Sequence, residues 1–332
     1  MLATEREIKI PISSIKDSIL ESLKRIVDDN LNQAEIPVRF VITKTDSDNY
    51  HCELGIIENF DKSSFIRPAS IFDFKKREFE VQHDFNAVFV IPTGIGAEIG
   101  GHAGDATPVA RLMASLCDNL VTHPNVVNAS DINELPENGL YVEGSVLSHL
   151  LMGNIALQKN RSNRVTVVVD KHPDSNISHF SINAISAART TLGMDCPIVI
   201  EMEKPIKMQA AYSGSGRAIG RIEGIERLLK ILEKYRSDYD AVALTSTIDV
   251  EENLLREYFN SSGDIVNPWG GVEALLTHTV STLFNVPSAH SPMMESNEIL
   301  NLDLGIVDPR MSAEAISTSF LFCNNMLNSS SC

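Results

Sequence analysis

The chain has 332 residues, 43% hydrophobic and 22% charged, a globular composition that excludes an intrinsically disordered protein. Lys plus Arg number 28 against 44 Asp plus Glu, for a formal net charge of −16, so a broad phosphate-neutralising surface is excluded and nucleic acid is not expected as a partner. At a typical ~100 to 200 residues per domain, the length leaves room for one large domain or two.

The opening MLATEREIKIPISS mixes charges into its first eight residues and holds no continuous apolar segment of secretory or spanning length. A cytoplasmic location with no membrane partner is expected. Ile15, Ile19, Leu20, Leu23, Ile26, Val27 and Leu31 recur at helical spacing and predict an amphipathic helix between Ser13 and Gln33. VRFVITK and YHCELGIIE, separated by the turn-forming TDSDN, predict an antiparallel hairpin. Residues 1–80 therefore read as a small α+β unit. It carries no compact polar cluster, so a structural role or homo-oligomerisation is expected of it rather than catalysis.

Beyond residue 80 the pattern changes to short continuous apolar runs, each followed by a turn and a helical segment. That punctuation predicts an α/β domain over 81–332, a mostly parallel sheet flanked by helices. The runs fall at 87–92, 119–123, 139–144, 164–170, 197–203, 241–247 and 286–290, and the helices at 106–118, 145–152, 178–192, 221–236 and 271–284. Cys52, Cys117, Cys196, Cys323 and Cys332 show neither CxxC nor finger spacing, so neither a disulfide framework nor a structural zinc site is expected.

The most informative stretch is IPTGIGAEIGGHAGDATPVARLMASL, in which an apolar strand ending near Thr93 runs into Gly94, Gly96, Gly100, Gly101 and Gly104 before a helix begins. Glycine lets backbone N–H groups approach a ligand closely. A helix capped by Asp105 or Thr107, with Pro108 in its first turn, points further unpaired N–H groups at the same place. An anion is the expected guest, and Arg111 one turn into the helix could add charge. GIGAEIG is one residue longer than the dinucleotide fingerprint, and the next strand ends in His123-Pro124 rather than an acidic residue, so a nicotinamide cofactor stays an alternative.

Together with THPNVVN, YVEG, GGVEALLTH and PSAHSP, this stretch resembles a bacterial family classed as a domain of unknown function, whose hallmark is IPTGIGAxIGGxAGDAxPxAR. The resemblance runs over residues 87 to 325 and leaves the first 80 outside. It implies no established reaction. It does imply that the glycine stretch, His123, Glu143, Glu273, His278 and His290 belong to one pattern, with His102 at a variable position.

In open parallel sheets, ligands bind beyond the carboxyl ends of the strands. The residues closing the apolar runs include His123, Glu143, Asp170, Glu201 with Glu203, Thr245 to Thr247, and His290. Histidine is suited to proton transfer at neutral pH, so His123 and His290 are the expected acid/base pair, with Glu143 or Asp105 orienting an imidazole or the substrate. In AYSGSGR, Ser213 and Ser215 offer hydroxyls to an anionic group, and Gly271 opens a helix carrying Glu273 toward the same ligand. No HExxH or HxH pair is present, and both a metal assembled from distant residues and a cofactor stay open. The inventory suits an enzyme doing acid/base chemistry on a small carboxylate- or phosphate-bearing metabolite, of lyase, isomerase or hydrolase type. A nicotinamide-dependent dehydrogenase and a non-catalytic metabolite-binding or regulatory protein are the alternatives.

Overall fold

A computed structural model of the chain describes residues 1–16, 18–60, 66, 70–73, 84–91, 106–123, 126–127, 135–142, 144–153, 155–157, 164–191, 193–261, 265–293 and 306. In chain order the regular elements are β1 (Leu2–Pro11), α1 (Ile19–Asp29), β2 (Ile36–Thr45), β3 (Asn49–Glu58), β4 (Asn86–Val88), α2 (Thr107–Ala114), β5 (Asn119–Thr122), β6 (Gly139–Tyr141), α3 (Gly144–Leu151), β7 (Val165–Val169), α4 (Ser175–Thr191), β8 (Val199–Glu201), β9 (Lys207–Tyr212), β10 (Ala218–Glu223), α5 (Glu226–Lys234), β11 (Ala241–Asp249), α6 (Glu252–Asn260), α7 (Trp269–Phe284) and β12 (Ser288–Met293). They fall into two compact units. The first comprises Met1–Asp73, Asn160–Glu251 and Pro268–Ile299, and the second Phe74–Lys159, Glu252–Asn267 and Leu300–Cys332.

The first unit is built on one mixed sheet. The expected hairpin is present, with β2 and β3 antiparallel from Ile36↔Ile57 to Thr45↔Tyr50. β1 pairs antiparallel with β3 along its whole length and with β10 through Leu2, Ala3 and Thr4, so the N-terminal strands continue into the same sheet as β10 and β9. β11 then runs parallel to β9, β7 and β12, and β7 parallel to β8. The mostly parallel sheet expected from the sequence is thus a correction in part, since only the half around β11 is parallel. The reason lies in β9 and β10, which are joined by the five residues 213–217, long enough for a hairpin but not for the crossover that parallel neighbours need. The helix expected over 221–236 is corrected too. Its first residues finish β10, Gly224 turns the chain at φ +76°, a value glycine tolerates, and α5 begins only at Glu226.

Helices cover both faces of the antiparallel half. On one face, Leu23 and Val27 of α1 join Ile10, Cys52, Leu54 and Ile56, and Ser18 caps the helix by accepting the Glu21 amide. On the other, Val272, Leu275, Leu276, Val280 and Leu283 of α7 pack with Ala3, Ile57, Met208, Ile222, Leu244 and Ile248, each large side chain contributing about 1.5 to 3 kcal/mol by leaving water. Two glycines set how closely α7 lies. A Cβ on Gly220 would overlap the Val272 side chain, and one on Gly271 would meet the Ala218 carbonyl and stand 2.6 Å from the Ile219 nitrogen.

In the second unit β5 lies between β4 and β6, all parallel, and Ala110 and Ala114 of α2 bury against Leu120, Val126 and Val127. Ala106, not a polar side chain, occupies the N-cap of α2, with Pro108 in the first turn as expected. Among the described residues no helix is long and apolar enough to cross a membrane.

Candidate functional site

Seven of the expected site residues, Thr93, Gly94, Gly96, Gly100, Gly101, Asp105 and Glu143, lie outside the described residues. Of the others, His123 and Arg111 belong to the second unit, and His290, Glu273, Gly271, Ser213 and Ser215 to the first. His123 closes β5 and is buried. Its Nε2 accepts the Ile91 amide at 3.1 Å and its carbonyl accepts the amides of Val126 and Val127. A ring nitrogen that accepts a backbone N–H favours the neutral imidazole, protonated at Nδ1, and here it ties down the residue just before the glycine stretch. Arg111 is an exposed residue of α2.

Ser213 and Ser215 do not present their hydroxyls to an anionic guest. Both donate to Glu53 Oε1, at 3.2 and 3.4 Å, and Arg217 Nε donates to Oε2 at 2.9 Å. Glu53 is 1% exposed, so the turn between β9 and β10 is spent on satisfying a buried carboxylate. One row along the same sheet face, the buried carboxylate of Glu5 pairs with Arg39 and accepts the Gly220 amide at 3.1 Å. Burial raises the Glu5 pKa, opposed by the Arg39 charge. Gly271 serves packing against Ala218, as the overlap above shows.

Glu273 and His290 meet, together with Ser246. Glu273 lies in the N-terminal part of α7, His290 is in β12 opposite Leu244, and Ser246 is in β11. Inward positions on β11 are Val242, Leu244, Ser246 and Ile248, so Ser246 is a hydroxyl in an apolar row. His290 Nδ1 is 3.0 Å from Glu273 Oε1, and His290 Nε2 is 2.9 Å from Ser246 Oγ. The Ser246 hydroxyl also lies 2.9 Å from Met208 Sδ. With the carboxylate on Nδ1, that nitrogen carries the proton and Nε2 is free to accept from Ser246. If Nε2 gains a proton, it donates to Oγ and the hydroxyl turns to the Met208 sulfur. The site thus satisfies both the imidazole and the imidazolium, which is what a proton-transferring histidine requires. The His290 side chain is 1% exposed and that of Glu273 is 29% exposed, so the carboxylate is the end that reaches solvent.

Beside Ser246 stands Asp170, the residue after β7. Its amide donates to the Thr245 carbonyl at 2.9 Å, and burial pushes its carboxyl up to about 7 against the lowering effect of the Ile206 and Lys171 amides and the Arg227 charge. Sequence reasoning placed Asp170 and Ser246 at strand ends without assigning either to the site. For Ser246 the sequence carried no signal, because the buried period of its strand shows only once the strand is packed. For Asp170 the signal was a carboxylate directly after four buried or half-buried valines and a threonine. Among the described residues no group of three His, Cys, Asp or Glu side chains gathers as a metal-ligand set.

Three comparisons bear on this geometry. A family described as "Protein of unknown function (DUF3326)" matches residues 86–328. The chain is 32% identical over 240 residues to an uncharacterized lipoprotein of Synechococcus sp., a match covering 71% of this chain and 65% of that protein's length. No solved structure matches.

Proposed function

We propose, for a chain that belongs to the DUF3326 family of unknown function, an enzyme that performs general acid/base chemistry on a small carboxylate- or phosphate-bearing metabolite, of hydrolase type. The observation that carries this reading is the order Glu273, His290, Ser246, each hydrogen-bonded to the next. That connectivity suits acyl or phosphoryl transfer on physical grounds. Ser246 Oγ gives its proton to His290 Nε2 as it bonds to the substrate's carbonyl carbon or phosphorus, Glu273 stabilises the resulting imidazolium, and His290 returns the proton to the leaving oxygen. The same group then activates water to release the acid. The anionic substrate class is the expectation read from the sequence of the glycine stretch alone.

A second reading is favoured by one observation. Ser246 is 2% exposed and the His290 side chain 1%, so turnover requires α7 or β12 to shift, whereas a non-catalytic metabolite-binding protein needs no such opening. Hydrolysis of a panel of small carboxylate and phosphate esters, followed by pH-stat, separates the two, with fluorophosphonate labelling read by intact mass as the second arm. The expected result is turnover that falls about 10²-fold or more in Ser246→Ala and in His290→Gln, and one adduct on Ser246 that both variants lose. Unlabelled Ser246 together with turnover indifferent to His290→Gln refutes the enzyme reading.

A further inference from the structure

Asp170 is 2% exposed. Its Oδ1 accepts the backbone amides of Lys171 at 2.8 Å and Ile206 at 3.2 Å, whereas its Oδ2 is buried and meets no hydrogen-bond partner among the described residues. A buried carboxylate oxygen is normally satisfied by protein or by ordered water. The place for such a partner is a small cavity lined by Asp170, Thr245, Ser246, Met202 and Leu276, with room for about one water molecule. Ser246, whose hydroxyl is bonded to His290, is among the residues that line it.

We infer that Asp170 is the far end of the Ser246 and His290 hydrogen-bond chain, joined to Ser246 by one water molecule in this cavity, and that Asp170 and His290 share a single proton through it. The inference deepens the acid/base reading above and rests on the same residues. When Asp170 holds the proton, Oδ2–H donates to the water, the water donates to Ser246 Oγ, and Ser246 donates to Nε2. A shift along the chain breaks one O–H bond each at Oδ2, the water and Oγ, and forms one each at the water, Oγ and Nε2. Asp170 becomes a carboxylate and His290 an imidazolium facing Glu273, with no proton gained or lost overall. The low polarity of the surroundings strengthens such a chain.

The charges around both ends allow this. Asp170 feels the Arg227 guanidinium of α5, which is engaged with the Pro205 carbonyl, while Lys171 is paired with Glu201 at 2.9 Å. His172 is turned to Asp174, whose amide its Nδ1 accepts at 2.9 Å. His290 faces Glu273 of α7. Burial holds the Asp170 carboxyl up to about 7.

The test is the protonation of His290 followed by NMR on protein with ¹⁵N-labelled histidine, the His290 signals being those absent from His290→Gln. Asp170→Asn keeps the side-chain shape and removes the negative charge. The expected result is a His290 midpoint lower by about one pH unit, a roughly tenfold loss in proton affinity, and a shift at most half that size when the same change is made in Ser246→Ala. A midpoint equal in wild type and Asp170→Asn, or a shift that persists undiminished in the Ser246→Ala background, overturns the inference. If Asp170→Asn does not fold, the carboxyl ¹³C titration of Asp170 in wild type and in His290→Gln reads the same coupling from the other end, because linkage is reciprocal. An unmoved Asp170 midpoint there is equally fatal. Ester turnover reports on the enzyme reading and histidine titration on the shared proton, so either can fail while the other stands.

Discussion

Replacing Gly271 by alanine, with Gly270→Ala as its control, tests how α7 is held against the sheet. The two glycines are neighbours in the first turn of the same helix, yet their surroundings differ. A Cβ on Gly270 meets nothing within 4 Å. One on Gly271 overlaps the Ala218 carbonyl and stands 2.6 Å from the Ile219 nitrogen, close to 1 Å inside the 3.4 Å at which ordinary contact begins. Both obstructing groups are backbone of β10, so the neighbour cannot rotate away and α7 must lift instead. Overpacking of this kind costs about 1 to 3 kcal/mol. Alanine at 270 gains up to about 1 kcal/mol in helix propensity. The same propensity gain applies at 271, so the two variants should differ by the overpacking cost, ~1 to 3 kcal/mol, with Gly271→Ala the less stable. Urea denaturation followed by fluorescence of Trp269, the single tryptophan and the first residue of α7, reads the unit that contains the helix. A lifted α7 also carries Glu273 away from His290, so Gly271→Ala should lose Ser246 labelling where Gly270→Ala keeps it. Equal midpoints for the two variants would refute the close-approach argument.

Three further outcomes follow from the same geometry. Glu53→Gln removes the charge that Arg217 and two serine hydroxyls share; because Arg217 is 24% exposed and can return to water, the loss should be about 2 to 3 kcal/mol in thermal or urea unfolding, and an unchanged midpoint would contradict the network. The raised carboxyl of Asp170 stabilises the fold fully below pH 3.8 and loses that contribution as pH rises to about 7, because in that window only the unfolded chain ionises; wild-type stability relative to Asp170→Asn should fall by ~4 kcal/mol across it and be flat on either side, whereas a flat difference curve removes the buried carboxyl from the account. Fractionation of cells expressing the tagged chain should recover it with the soluble proteins, and recovery with membranes would contradict the location expected from the sequence.

The hairpin of β2 and β3 was legible because period-two apolar runs flank a turn rich in Asp, Ser and Asn. α1 and α7 were legible for a similar reason, their apolar stripes being uninterrupted. β1, β9 and β10 were not, because burial there depends on partners far along the chain: Glu5 faces the core only once Arg39 and the Gly220 amide are beside it. At the site, Glu273 and His290 stood out as polar residues at a helix start and a strand end. Their joining through Ser246 did not, since nothing in AVALTST says which alternate residues face inward until β7, β12 and α7 have packed around it. The serines of AYSGSGR misled because free hydroxyls beside glycines look the same in sequence whether they await a ligand or answer a buried carboxylate such as Glu53, which lies 160 residues away.

The position of β1 between β3 and β10 bears on how the polypeptide is made. β1 is made well before β10, and one flank finds its mate only when Glu223 has been synthesised, about 220 residues later. Until then the nascent chain exposes an unsatisfied strand border, a template for wrong associations. Its Glu5, Glu7 and Lys9, interspersed along that border, make premature pairing with another apolar strand unfavourable while the ribosome is still at work.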